Sequence, residues 1–198
     1  MGGDAAPGDR DALIIVDVQR DFLPGGSLAV SGGDRVVPVL NRYSALFHEK
    51  GLPIFATRDW HPPNHCSFTA RGGPWPPHCV QGASGADFAP GLALPAETVV
   101  ISTAADPDRE EYSGFASVDL RESLERMGVR RLFIGGIATD YCVLHTVRDA
   151  LGLGYEVFLL EDAIRAVDAK PGDGERAERE MVELGAAPVT FEQIVEGA

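Results

Sequence analysis

Lysine is almost missing from this chain: Lys50 and Lys170 are the only two among 198 residues. The rest of the basic charge is arginine, and it is outweighed, with 17 Lys and Arg against 30 Asp and Glu for a formal charge of −13. Such a surface disfavours nucleic acid and anionic membranes as partners, because both are bound through basic patches. Cysteine is also scarce. An odd set of three, Cys66, Cys79 and Cys142, fits free thiols in a reducing compartment and not a disulfide scaffold. No apolar run approaches the length of a membrane-spanning helix. The opening MGGDAAPGDRD has no apolar signal core, and Ala6 stands where a myristoylation signal needs Ser or Thr. These absences lead us to expect a cytoplasmic protein.

Hydrophobic residues at 44% and charged residues at 24% give an ordinary globular composition. We expect a disordered tail over residues 1–10 and a single domain over 11–198, with no repeat or linker. Short apolar runs at 12–18, 52–57, 99–102, 131–135 and 155–160 read as strands buried on both faces, as in a parallel sheet. Residues 188–191 would add a sixth. Helical patterns at 36–50, 118–127, 141–153 and 175–184 lie between them. The alternation predicts a doubly wound α/β fold, a mainly parallel sheet of about six strands flanked by helices. Two long segments interrupt it, the Gly-rich 21–33 and the Pro-, His- and aromatic-rich 58–96. Long loops in such domains tend to carry function.

Ligands of open α/β sheets bind at the carboxyl ends of the strands, and the reactive side chains cluster at those ends. Asp17 follows the first apolar run, Asp59 and His61 the second, Thr103 the third, Ala138 and Cys142 the fourth. Cys142 sits between a strand and a helix, where the helix dipole favours thiolate and unpaired N–H groups can bind an oxyanion. It reads as a nucleophile, or else as a small buried hydrophobe. Asp17 reads as the base that takes its proton, or as a strand-end cap. The run Asp59-Trp60-His61, with His65 and His78 beyond, holds three of the five histidines. It suits a divalent ion, Zn, Fe or Mn. A structural zinc knot using Cys66 and Cys79 is the other reading.

The segments ALIIVDVQRDFLPGGSLAV, TRDWHPPNHCSF, WPPHCVQG, YSGF and GIATDYCV, in that order, resemble the isochorismatase-like cysteine hydrolases, and among them the nicotinamidase/pyrazinamidase type. The resemblance covers residues 12 to about 192. It implies an isochorismatase-like three-layer fold and hydrolysis of nicotinamide, or a close aromatic carboxamide, to the acid and ammonia through a cysteine thioester. It implies Asp17 as acid/base, Cys142 as nucleophile, and an oxyanion hole from the N–H groups of Ala138 and Cys142, with a cis peptide between Ile137 and Ala138. Asp59, His61 and His78 would hold one metal ion, with His65 as a fourth ligand. Phe22, Leu28, Trp75, Tyr112 and Tyr141 would line the substrate pocket. The partner would be a small carboxamide, and the protein a homo-oligomer. One feature departs from the family. The catalytic lysine after the third strand falls on Thr103, or on Ala105 with a different gap, so any compensating charge must come from elsewhere, an arginine such as Arg109 included. Without a cation, Asp17 raises the thiol pKa by like-charge repulsion. The alternatives are a hydrolase of another small amide or imide, and a binding or regulatory homologue that has lost turnover.

Overall fold

The computed structural model describes residues 5–196. A parallel sheet of six strands runs through it: β1 (Asp11–Val16), β2 (Ile54–Asp59), β3 (Val99–Thr103), β4 (Arg131–Ile137), β5 (Glu156–Arg165) and β6 (Ala187–Val189). The spatial order is β3-β2-β1-β4-β5-β6. Every neighbouring pair is parallel. The order reverses between β1 and β4, so the crevice at their carboxyl ends is where a doubly wound sheet takes its ligand.

Five helices cover the sheet: α1 (Val36–Glu49), α2 (Val118–Arg126), α3 (Leu144–Gly152), α4 (Asp173–Leu184) and α5 (Phe191–Glu196). Alternate residues of β1 divide between two cores. Leu13 and Ile15 pack with Leu40, Tyr43 and Phe47 of α1 and Ile194 of α5. Ala12, Ile14 and Val16 pack with Leu120 and Leu124 of α2, Val147 of α3 and Met181 of α4. All five of these β1 residues are 0% exposed, which explains the unbroken apolar run: a strand covered on both faces has no polar side to show.

The expected three-layer α/β fold is therefore present, with changes in detail. The sixth strand is shorter than expected, ending at Val189, and α5 begins at Phe191 where strand had been expected to continue. The helix expected from residue 141 begins as a π-helical turn at Thr139–Val143, and α3 follows from Leu144. Of the expected tail, residues 1–4 lie outside the described residues. Within its remainder, the Arg10 carbonyl accepts the Arg130 N–H at 2.7 Å. Among the described residues no helix is long and apolar enough to cross a membrane.

The two long loops are tied to the sheet by buried polar groups. Gln19 is 0% exposed. Its amide donates to the carbonyls of Asp59 and Ala86, and its oxygen accepts the Asp59 N–H at 2.8 Å. Asp21 accepts the Cys79 N–H at 2.7 Å. One glycine is needed at the end of β4. Gly136 has φ +133°, and a Cβ there would lie 2.1 Å from the Val16 carbonyl oxygen. The close approach of β4 to β1 at this point sets the spacing of the residues that follow both strands.

Candidate active site

Asp17 leaves β1 with φ +47°, which turns its carboxylate back over the sheet edge. Thr57 of β2 fixes it: the hydroxyl donates to Oδ1 at 2.6 Å and accepts the Asp17 N–H at 3.2 Å. From the far side of the switch point, Cys142 brings its thiol to the same carboxylate. The sulfur and the carboxylates of Asp17 and Asp59 lie within 4.8 Å of one another. All three residues are buried, at 6%, 2% and 5% exposure.

Burial and charge act together on these groups. Burial first, then the neighbouring Asp59, raise the Asp17 carboxyl to about 8, against the pull of hydrogen bonds from Thr57 and Cys142. The Cys142 thiol is pushed well above its ordinary value by burial and then by Asp17 and Asp59; the Ala138 N–H, which faces the sulfur, opposes this. Of the two opposing effects expected at this thiol, the rise from Asp17 in the absence of a cation outweighs the pull of the helix N–H groups. One turn of N–H groups cannot outweigh loss of water plus two adjacent carboxylates, so the resting pair is a protonated thiol facing a carboxyl group.

Asp59 is also the corner of a second group. Its carboxylate, His61 and His78 place one donor atom each within 4.8 Å of one another. Both histidines turn Nδ1 to a backbone carbonyl, His61 to that of His78 at 3.1 Å and His78 to that of Pro76 at 2.8 Å. This fixes the tautomer and leaves each Nε2 lone pair facing inward, as metal-binding imidazoles require. Burial lowers His61 to about 4, so the ring is neutral and its lone pair available. Two inward imidazoles and a carboxylate form a donor set for a divalent ion such as zinc. Phe68, at 1% exposure, packs against His61, His65 and His78. An aromatic in a loop carries no periodic signal, and sequence reasoning missed it.

His65 lies beside this group and not within it. Its Nδ1 meets the Ser67 hydroxyl at 2.7 Å and its Nε2 the Arg109 carbonyl at 3.0 Å, so both ring nitrogens are taken by protein. Cys79 is buried with its backbone held by Asp21, and neither it nor Cys66 joins a metal-ligand group among the described residues.

A narrow cleft opens over these groups. Phe22, Leu28, Trp75, Tyr112 and Tyr141 line it, together with Ala138, Cys142 and the Asp59–His61–His78 group. Trp75 and Tyr141 meet edge to face at 5.1 Å, and the Trp75 indole N–H donates to the Tyr112 hydroxyl at 3.1 Å. That hydroxyl in turn donates to Glu110. The Ile137–Ala138 peptide is cis.

Among the described residues no lysine or arginine lines the cleft. Thr103 pairs with Asp59 across β3 and β2, is buried, and donates its hydroxyl to the Arg58 carbonyl at 3.3 Å. Arg109 does not take the place of a lysine: its side chain is 67% exposed and pairs with Glu111 at 3.0 Å. Glu111 accepts the Ala104 N–H at 3.1 Å and, with Glu110, lines the cleft. Sequence reasoning missed both glutamates, since acidic residues in a polar loop give no signal.

A buried thiol and carboxyl beside a two-histidine, one-carboxylate donor set, at the switch point of a 3-2-1-4-5-6 sheet, defines a cysteine hydrolase type of site. The chain belongs to the isochorismatase domain family, whose pattern matches residues 11–193. It is 38% identical to a nicotinamidase of Escherichia coli, over 91% of this chain and 94% of that one. A pyrazinamidase of Pyrococcus horikoshii, solved in complex with zinc, superposes with a TM-score of 0.88 at 53% identity, over 92% of this chain and 99% of that one. The PnC1 protein of L. infantum, solved with nicotinate, gives 0.88 at 39% identity, over 95% and 96%.

Proposed function

We propose that this chain is an amidohydrolase of the nicotinamidase type, acting as one domain over residues 11–198 and converting nicotinamide to nicotinate and ammonia. The observation that carries this reading is the contact of the Asp17 carboxyl with the Cys142 thiol, which itself lines an aromatic cleft. The Escherichia coli and L. infantum relatives support the substrate class.

The ring packs against Trp75, Tyr141 and Phe22. In the form with Asp17 ionised, which grows as pH rises towards 8, Cys142 attacks the carboxamide carbon while its proton passes to Asp17. The N–H groups of Ala138 and Cys142 hold the oxyanion that forms. Collapse breaks the C–N bond, and Asp17 gives its proton to the departing ammonia. Water then attacks the thioester, Asp17 takes the proton from it, and the acid leaves as the thiol is restored. Asp59, His61 and His78 would hold a metal ion, which would supply Lewis acidity beside the substrate; the zinc of the Pyrococcus relative supports zinc among Zn, Fe and Mn.

The same geometry sets the rate. With no cation among the described residues that line the cleft, the negative charge that passes from Asp17 to Cys142 lacks a stabilising partner. We expect zinc-loaded protein to release ammonia from nicotinamide roughly 10²–10⁴-fold more slowly than a relative with its proton-transfer groups complete. Thr103→Lys is expected to raise the rate and lower the pH at which iodoacetamide modifies Cys142. Absence of any ammonia release, alongside tight nicotinamide binding by calorimetry, would replace this reading with that of a binding homologue.

The metal half gives a separate prediction. His61→Ala and His78→Ala are each expected to lower bound metal by roughly 10- to 100-fold in affinity and to weaken nicotinamide binding. Alkylation of Cys142 should change little. Equal metal content in wild type and both variants by elemental analysis would show that these residues are not the ligands.

A further inference from the structure

The aromatic wall of the cleft is held by a chain of hydrogen bonds that ends on a carboxylate. We propose that Glu110 is a positioning residue for substrate: it fixes Tyr112, and through Tyr112 it fixes Trp75, so that the wall stands ready before the ring arrives. Resting on the aromatic-carboxamide reading above, this names a residue that sets the affinity of the same site.

The Trp75 indole N–H donates to the Tyr112 hydroxyl oxygen at 3.1 Å, and that hydroxyl donates to Glu110 Oε1. The directions are forced. An indole N–H only donates and a carboxylate only accepts, so the phenol between them accepts on one side and donates on the other. Burial, and then the bond to Glu110, push the ionisation of the phenol above its ordinary value, which keeps the donated proton on the hydroxyl. The rings of this wall also interlock. Trp75 meets Tyr141 edge to face at 5.1 Å, and Tyr112 lies 5.6 Å from Tyr141. All three rings line the cleft together with Glu110.

Glu110 is exposed, yet the chain on either side of it is anchored. The Arg109 carbonyl meets Nε2 of the buried His65 at 3.0 Å. The Glu111 side chain accepts the Ala104 N–H at 3.1 Å. Glu110 is thus presented from a held backbone, and its carboxylate gives up little freedom in taking the phenol. Without that carboxylate the phenol turns freely and the indole N–H faces a partner of no fixed orientation. Substrate must then order the wall as it binds, which weakens affinity. The Cys142 thiol, the Asp17 carboxyl and the Ala138 N–H stand outside this chain, so the covalent step is left alone.

The experiment compares Glu110→Ala with Glu110→Gln by ammonia release from nicotinamide and by nitrogen–proton correlation NMR of the indole groups. The tryptophans are Trp60 and Trp75, and Trp60→Phe assigns their signals. Glu110→Ala is expected to raise KM roughly 10-fold, the scale of one hydrogen bond to a charged group. Its kcat should stay within about twofold, the pattern of lost binding and not of lost chemistry. Its Trp75 indole signal should shift and exchange faster with solvent. Glu110→Gln keeps an oxygen that accepts the phenol; its KM is expected within about threefold of wild type and its indole signal in place. In Tyr112→Phe, which already lacks the hydroxyl, adding Glu110→Ala should not change KM further. A kcat loss in Glu110→Ala as large as its KM change would overturn the proposal, and so would a glutamine variant as impaired as alanine. The indole signal needs no substrate. Its shift in Glu110→Ala, in a protein that does not hydrolyse nicotinamide, would sink the functional reading and leave the Glu110 chain standing. An unmoved signal and unchanged KM in an active enzyme would do the reverse.

Discussion

Cys142→Ala is expected to leave a folded, metal-binding protein with no measurable ammonia release from nicotinamide, a loss of roughly 10⁴–10⁶-fold on the scale of deleting a covalent nucleophile. The size follows from position. The Cys142 sulfur is the group that faces both the Asp17 carboxyl and the Ala138 N–H. No other cysteine can substitute for it: Cys79 is buried away from the cleft lining, and Cys66 does not line it. The structural cost is small, because the sulfur is a minor part of its core and the Asp59–His61–His78 group does not include it. Rapid-quench mass spectrometry on wild type should show a covalent adduct of acyl mass on the peptide carrying Cys142. Activity within tenfold of wild type in the alanine variant would remove the thioester mechanism altogether.

Asp17→Asn is expected to cost roughly 10²–10⁴-fold in turnover, the usual scale for a proton-transfer group, and at the same time to stabilise the protein at alkaline pH. In the folded chain Asp17 ionises at about 8, against 3.8 for the free side chain. Below that lower value the carboxyl is protonated folded or unfolded, and its contribution to stability is fully present. Between the two values the unfolded chain ionises and the folded one does not. Stability from this group is therefore lost as pH rises, down to its floor once pH passes about 8. Asparagine stays neutral and can still accept the Thr57 hydroxyl. At pH 8, with a chelator present so that no ion offsets Asp59, the variant should be more stable by on the order of 2 kcal/mol, or roughly 5 °C in Tm. At pH 4 the two melting curves should coincide. A variant that is both inactive and less stable at pH 8 would show that Asp17 is held ionised.

The sheet was legible because burial on both faces leaves a plain mark. Residues 12–16 are apolar without a break, and each one enters a core. The end of the chain was less legible. Residues 188–191 are short and apolar, a pattern that strand and helix share, and here the strand stops and α5 starts. The polar residues were found because they follow strands, which is where a parallel sheet presents its ligand site. For Cys142 the like-charge effect of Asp17 was legible from the missing lysine, but a sequence does not show that Asp59 of β2 converges on the same thiol. His65 was grouped with its neighbours by spacing, and only the fold reveals that Ser67 and Arg109 already hold its ring. Glu111 was invisible for the same reason: its place in the cleft depends on its bond to the Ala104 N–H.

The strand order also fixes when each half of the site comes into being. Asp59, His61 and His78 lie on one strand and the loop after it, so their meeting closes a short length of chain and costs little entropy. Asp17 and Cys142 meet only when β1 and β4 have paired, a non-local event of the kind that slows folding. A nascent or partly folded chain can thus collect its ion before it has a nucleophile. Because unfolded ensembles retain some hold on the ion through these neighbouring ligands, metal should stabilise the native state by less than its affinity for the finished site would give. Chemistry begins only once β4 has docked on β1, which keeps a reactive thiol–carboxyl pair from forming while the chain holds only its first three strands.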